Sequence, residues 1–116
     1  MTTLYGIANC DTVKKARRWL DAEGIAHAFH DLRRDGLAPA RLDAWIAALG
    51  WEALLNRKGT TWRALDPALR EAPLDAAAAR GLMLAQPTLI KRPVIEWPAG
   101  CSVGFDPARF DALRPR

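Results

Sequence analysis

Cys10 and Cys101 are the only thiols in this chain of 116 residues, and thiol chemistry is the first chemistry the sequence offers. The thiolate is the form that attacks, so a working cysteine needs surroundings that favour negative charge. Cys10 sits in "YGIANCDTVKKARRWL", between a short apolar run and the start of a basic helical pattern. Free backbone N–H groups and the positive end of a helix favour an anion at that place. Thr12 brings a hydroxyl to the same turn, and Lys14, one turn on, adds positive potential that favours a thiolate or attracts an acidic substrate. A small cysteine buried in a turn explains the position equally well. The loop by itself leaves the reactive and the packed readings open. Cys101, in a predicted hairpin, reads as a packed strand residue rather than a resolving thiol.

Two cationic stretches are the other candidates. In "IKRPV", Lys91 and Arg92 precede Pro93, and the residue before a proline is held extended. Arg92 is thus a bidentate anion binder on stiff backbone, although a surface cation entering an edge strand fits the same residues. "NRKGTTW" sets Arg57 and Lys58 beside a flexible glycine and is just as ambiguous alone. Two histidines and no C-x-x-C pair give no metal site to expect. Two cysteines far apart in the chain do not make a disulfide framework.

Half of the residues are hydrophobic and a quarter charged, as in an ordinary globular chain of one domain. The longest uncharged apolar runs fall short of a membrane span, and "MTTLYGIANCD" lacks the features of a secretory signal. A cytoplasmic location without membrane contact is the expectation. The net charge of +4 comes mostly from scattered arginines, with no aromatic-interleaved basic stripe, so no direct nucleic-acid partner is expected.

These groups need elements to carry them. "TTLYGI" predicts a buried strand. From Thr12, Val13, Ala16 and Leu20 recur at helical spacing with Trp19 beside them, Lys14, Lys15, Arg17 and Arg18 fall on the solvated side, and Gly24 ends the helix. "IAHAFHDL" predicts a second strand. Pro39 opens a helix striped by Leu42, Trp45, Ile46 and Leu49; "WEALLN" and "WRALDPALR" predict short helical pieces, the latter broken at Pro67. Asp75 to about Gln86 predicts a helix with Leu74, Ala78, Leu82 and Ala85 inward. "PTLI" predicts a strand, "VIEW" and "CSVGF" an antiparallel hairpin, and Pro107 a short last helix. Strand–helix–strand at the start requires a parallel crossover. The order as a whole predicts a mixed α/β sheet with helices inserted mid-chain.

Taken together, "LYGIANCDTVKKARRWL", "LGWEALLNRKGTTWRAL" and "PTLIKRPVI" resemble the ArsC-like (arsenate reductase and Spx) family of the thioredoxin superfamily, in particular its small bacterial YffB-type branch. The likeness runs over nearly the whole chain in the same order. It implies a single ArsC-like domain over 1–116, with a thioredoxin-like core of about 1–35 and 87–116 and a helical insertion of about 36–86. It implies an active cysteine at Cys10, an arginine before a cis-proline at Arg92 and Pro93 facing that cysteine, and a mid-chain anion-binding arginine near Arg57. In that company Cys10 reads as reactive. Four positions depart from the family pattern. Gly6 and Ile7 stand where arsenate reductases carry histidine and asparagine; Gly104 or Phe105 stands where they carry a third arginine; Val13 stands where Spx regulators carry the second cysteine of C-x-x-C.

The resemblance therefore implies a thiol-dependent oxidoreductase with no bound cofactor. The leading expectation is a monothiol, glutathione-dependent thiol–disulfide reductase, in which Cys10 forms a mixed disulfide and glutathione, as co-substrate, resolves it. Arg92, helped by Lys91 or Arg57, would hold a glutathione carboxylate, and the backbone beside Pro93 would pair with the extended tripeptide. The alternative is arsenate reduction, with Arg92 and Arg57 on the oxyanion and glutathione with glutaredoxin supplying electrons; the missing third arginine counts against it. A further alternative is an Spx-like regulator that binds RNA polymerase.

Overall fold

The computed structural model describes residues 1–115. In chain order the elements are β1 (Thr2–Gly6), α1 (Asp11–Ala22), β2 (His27–Asp31), α2 (Pro39–Leu49), α3 (Trp51–Leu54), α4 (Thr60–Arg63), α5 (Pro67–Glu71), α6 (Ala76–Ala85), a 3₁₀ turn (Pro87–Leu89), β3 (Val94–Trp97), β4 (Gly100–Val103) and α7 (Pro107–Leu113). Two compact units share them: one joins Met1–Gly36 to the segment beginning at Arg92, the other is Leu37–Lys91. No helix among the described residues is long and apolar enough to cross a membrane.

The first unit is a four-stranded sheet in the order β2-β1-β3-β4. β1 runs parallel to β2, Tyr5 opposite His30, and antiparallel to β3, Tyr5 opposite Val94. β3 and β4 form the hairpin, Glu96 opposite Cys101. This is the mixed, thioredoxin-like sheet that the resemblance implies. Alternation along each strand sends Leu4, Ile95, Trp97 and Ser102 to one face and Tyr5, Glu96 and Cys101 to the other. The first face carries the core, where Leu4, Ile95 and Trp97 meet Val13, Ala16 and Leu20 of α1 and Phe110 and Leu113 of α7. Phe110 anchors α7: fully buried, it lies 5.3, 5.4 and 5.7 Å from the rings of Trp19, Trp97 and Phe105, distances at which aromatic pairs add to plain area burial.

α1 is positioned at both ends. At its C-terminus Gly24 takes φ +68°, and the N–H groups of Gly24 and Ile25 close onto the carbonyls of Asp21 and Leu20, a glycine-terminated cap that also brings Ile25 onto the core. At its N-terminus the helix presses on the sheet where β1 ends. A Cβ on Gly6 would stand 2.6 Å from Val13 Cγ2, and Val13 is buried. Gly6 is there because the helix comes that close.

The second unit is helical. α2 packs on α3 and α6, and α6 on the 3₁₀ turn, burying Leu42, Trp45, Leu54, Ala79, Met83, Leu89 and Ile90. Three sequence expectations are corrected here. "PTLI" is not a strand: Leu89 and Ile90 N–H groups close 3₁₀ turns onto Gln86 and Pro87, and only Ile90 bridges, to Leu55. Pro87 lacks the N–H a strand ladder needs and suits a first helical turn. Pro67 does not break a helix but opens α5, behind an Asp66 carboxylate that accepts the Ala68 N–H at 2.8 Å. The inward stripe of α6 is Ala79 and Met83, one residue on from the predicted phase, and Ala85 is exposed. "AAAARGLMLA" is apolar nearly all round, so its periodicity does not fix which face turns inward.

The contact at Gly6 gives a stability test. Gly6→Ala should cost about 1–3 kcal/mol in urea denaturation, as overpacking of a filled core does. In the Gly6→Ala/Val13→Ala double variant the loss should be smaller than the sum of the two single losses, since the second change removes the atom the first one strikes.

Candidate active site

The loop that carries the candidate thiol is short and fixed. After Gly6 the chain buries Ile7, exposes Ala8 and Asn9, and enters α1 at Cys10. Cys10 is the N-cap, one residue nearer the helix than the sequence pattern places it, with extended backbone (φ −136°, ψ 121°) and its carbonyl accepting the Lys14 N–H at 2.9 Å. Its side chain makes no capping bond to the helix. The residue is half-buried against the Leu4, Val13 and Ala16 core, so its sulfur stands at the positive end of a 12-residue helix. Thr12 and Lys14 lie exposed on the first turn.

One residue that the sequence reading passed over organises this loop. Asp31, buried at the end of β2 and paired with Gly6, accepts the N–H of Ala8 on Oδ2 (3.3 Å) and those of Arg33 and Arg34 on Oδ1 (2.9 and 3.1 Å). The cysteine loop and the loop after β2 thus share one carboxylate. The Arg34 N–H bond leads in holding that carboxyl below its ordinary value, against the opposing effect of burial. An aspartate at the end of a predicted strand was the only signal in the sequence, and it is shared by many ordinary surface aspartates.

Arg92 and Pro93 lie at the same end of the sheet. The Arg92–Pro93 bond is cis, Arg92 is half-buried and Pro93 buried, and β3 begins at the next residue, opposite Tyr5. Pro93 is therefore one step from the point where β1 gives way to the cysteine loop. The Pro93 carbonyl accepts the Gly104 N–H at 2.8 Å. Gly104 has φ +83°, a backbone conformation that costs an arginine, and Phe105 is turned edge-on against Phe110. The place of the family's third arginine is occupied by turn geometry and packing.

Cys101 is on the other side of the sheet. Cys10 packs with the core on the α1 face, whereas Cys101 pairs across from Glu96 on the opposite face. Burial, and then the nearby Glu96 carboxylate, push the Cys101 thiol up to about 11. Cysteines whose Cβ atoms point apart cannot be bridged without moving backbone.

Arg57 and Lys91 are brought together in the helical unit. With Glu52, Leu55, Asn56 and Lys58 they line a cavity of about 450 Å³. Lys91, next to Arg92 in the chain, is held there by its N–H bond to the Leu54 carbonyl at 2.7 Å. A second cavity of similar volume, in the sheet unit, contains none of the predicted residues; its Arg114 is paired with Glu23 at 2.7 Å.

Comparison with known proteins identifies the family. The ArsC family model matches residues 5–113. The solved structure of the YFFB protein superposes with a TM-score of 0.93 at 49% identity, covering 99% of this chain and all of that one. An arsenate reductase (ArsC) related protein from Brucella melitensis is 51% identical, with a TM-score of 0.75 over 96% of this chain and 92% of its own. The global transcriptional regulator Spx of Streptococcus mutans is 25% identical over 118 aligned positions, which take in all of this chain and 85% of the regulator.

Two measurements check the loop and the two thiols. Asp31→Asn should lose about 1–3 kcal/mol, because bonds to a charged acceptor are replaced by bonds to a neutral one. Since the folded carboxyl lies below its unfolded value, its contribution is complete above about pH 4 and drains as pH falls through the lowered value; that part of the acid-unfolding slope should be missing in the variant. In the folded protein at pH 8, iodoacetamide should label Cys10 and spare Cys101, and Glu96→Gln should shift Cys101 labelling to lower pH.

Proposed function

Because the chain belongs to the ArsC family, we propose that it is a monothiol thiol–disulfide reductase that uses glutathione as its resolving thiol. The observation that carries this reading is the placement of the two cysteines: Cys10 caps α1 just after β1, and Cys101 lies across from Glu96 on the other face of the sheet. A mixed disulfide formed at Cys10 has no second cysteine of the same chain to resolve it. The Cys10 thiolate attacks the sulfur of a substrate disulfide joined to glutathione, expels the substrate thiolate, which takes up a proton, and keeps glutathione as Cys10–S–S–glutathione. A second glutathione thiolate attacks the glutathione sulfur of that bond, releases glutathione disulfide and returns Cys10 as thiolate. The substrate sulfur is reduced and the sulfur of the second glutathione is oxidised, so the exchange balances without a bound cofactor. The Cys10 sulfur stands at the positive end of α1, Asp31 holds the loop, and Arg92, with Lys91 or Arg57, serves a carboxylate of the tripeptide.

Arsenate reduction is the second reading, supported by the likeness to the ArsC-related Brucella protein. In it Cys10 attacks arsenic, Arg92 and Arg57 neutralise the oxyanion, and glutathione with glutaredoxin supplies the electrons. Gly104 and Phe105 in place of a third cation speak for the disulfide as the better substrate. The end-to-end likeness to Spx supports a third reading, binding to RNA polymerase. Val13, buried in the core, replaces the second thiol of a loop switch.

Incubated with glutathione disulfide, the protein should gain one glutathione on Cys10, removed by excess reduced glutathione and absent from Cys10→Ser, with turnover of a glutathionylated thiol lost in that variant. An unreactive Cys10, or an adduct that glutathione does not remove, would sink the reductase reading. Cys10-dependent turnover in a glutaredoxin-coupled arsenate assay that exceeds turnover of the disulfide would replace it with the second reading.

A further inference from the structure

Lys14, Lys15, Arg17 and Arg18 of α1 are all exposed, and among the described residues no carboxylate lies within ion-pair distance of any of them. By contrast, Arg34 pairs with Asp35 at 3.1 Å, Arg80 with Asp43 and Arg114 with Glu23, at 2.6 and 2.7 Å. Two of the α1 cations rest on aromatic rings instead. Arg17 Cζ lies 4.5 Å from the centre of the Phe29 ring, and Lys15 Nζ lies 5.1 Å from that of Phe105, both within the reach of cation–π attraction. A guanidinium held by its flat face keeps the N–H groups of its edge free for a carboxylate.

These charges do nothing for the helix that carries them. Lys14 stands three and four residues before Arg17 and Arg18, the spacings at which like charges repel. A helix gains from cations in its last turn, and the last turn of α1 has none. At about 100° per residue, Lys14, Arg17 and Arg18 fall within about 80° of Cys10, and Lys15 falls on the other flank. One flank of α1 is therefore a positive row that starts a turn beyond the thiol. At about 1.5 Å per residue it ends about 12 Å from Cys10, the span of three or four residues of extended peptide. Asp11 and Asp21 stand exposed at its two ends. The row is thus short: it suits a few carboxylates next to a cysteine and opposes the continuous charge of a nucleic-acid backbone.

We propose that Lys14, Arg17 and Arg18 dock an acidic segment of a protein substrate, so that the chain prefers glutathionylated protein thiols flanked by aspartate and glutamate. The inference rests on the reductase reading of Cys10 and names its substrate class. The chemistry is that of the exchange already described: Cys10 takes the glutathione, the protein thiol leaves with a proton, and a second glutathione restores Cys10. The row adds encounter and orientation, as complementary charge does.

The test uses the whole protein in a Cys101→Ser background with excess glutathione. The substrates are three peptides, each with a single glutathionylated cysteine beside a short run of glutamate, glutamine or lysine, and the readout is kcat/KM for release of the peptide thiol. The parent should favour the glutamate over the glutamine peptide roughly tenfold at about 0.01 M salt, and the ratio should approach one at about 1 M, where charges are screened beyond about 3 Å. Arg18→Glu should lower that ratio about twofold to fivefold, whereas Lys15→Glu, equal in net charge and on the other flank, should lower it less. Arg17→Glu/Arg18→Glu should turn the preference toward the lysine peptide, a gain that damage to the fold does not produce. Equal turnover of the three peptides by the parent overturns the docking row and leaves the reductase reading standing. A preference that Lys15→Glu and Arg18→Glu lower equally also overturns it, by assigning the effect to net charge. Stronger inhibition of glutamate-peptide turnover by duplex DNA than by polyglutamate replaces the protein partner with a nucleic acid. Failure to turn over any of the three overturns the row together with the reductase reading.

Discussion

The contact of Val13 with the end of β1 decides where α1 begins. Gly6 has no side chain, so the first turn of the helix closes on the strand, and the start of the helix falls on Cys10. A helix displaced outward by one methyl group would shift the cap, the direction of its positive end and the loop that Asp31 holds. Gly6 is thus the residue that permits this packing, and Val13 is its partner. Two positions at which the sequence resemblance is inexact belong to one steric arrangement.

Much of this was legible in the residues because several independent signals agreed. Val13, Ala16 and Leu20 gave the buried face of α1, Gly24 its end, and "VIEW" with "CSVGF" the hairpin, each through a periodicity or a backbone preference that tertiary packing reinforced. Cys10 was legible as a helix-start residue but became a reactive candidate only beside Arg92–Pro93 and Arg57. What stayed hidden had degenerate local signals. "PTLI" has the composition of a strand, and only the missing N–H of Pro87 and the turn it starts distinguish the two outcomes. The uniform apolarity of α6 left its rotation open. The part played by Asp31 depends on Ala8, 23 positions away, and no local pattern carries that bond.

The cations fall into two groups with different supports. Arg92 is set by the backbone of the sheet unit, at the start of β3; Arg57, Lys58 and Lys91 are set by the helical unit through short turns and main-chain bonds. A cation fixed by a strand end can keep one place while the insertion varies in sequence.

The pleat of one short sheet also limits the kinds of oxidised molecule this chain can become. With its sulfurs on opposite faces, it has no closed, self-contained oxidised form in which to rest. Any oxidation at Cys10 that ends in a disulfide must be shared with another molecule, so the fraction of chains carrying a foreign thiol follows the composition of the surrounding thiol pool. A partner sulfur is then part of the oxidised protein by necessity.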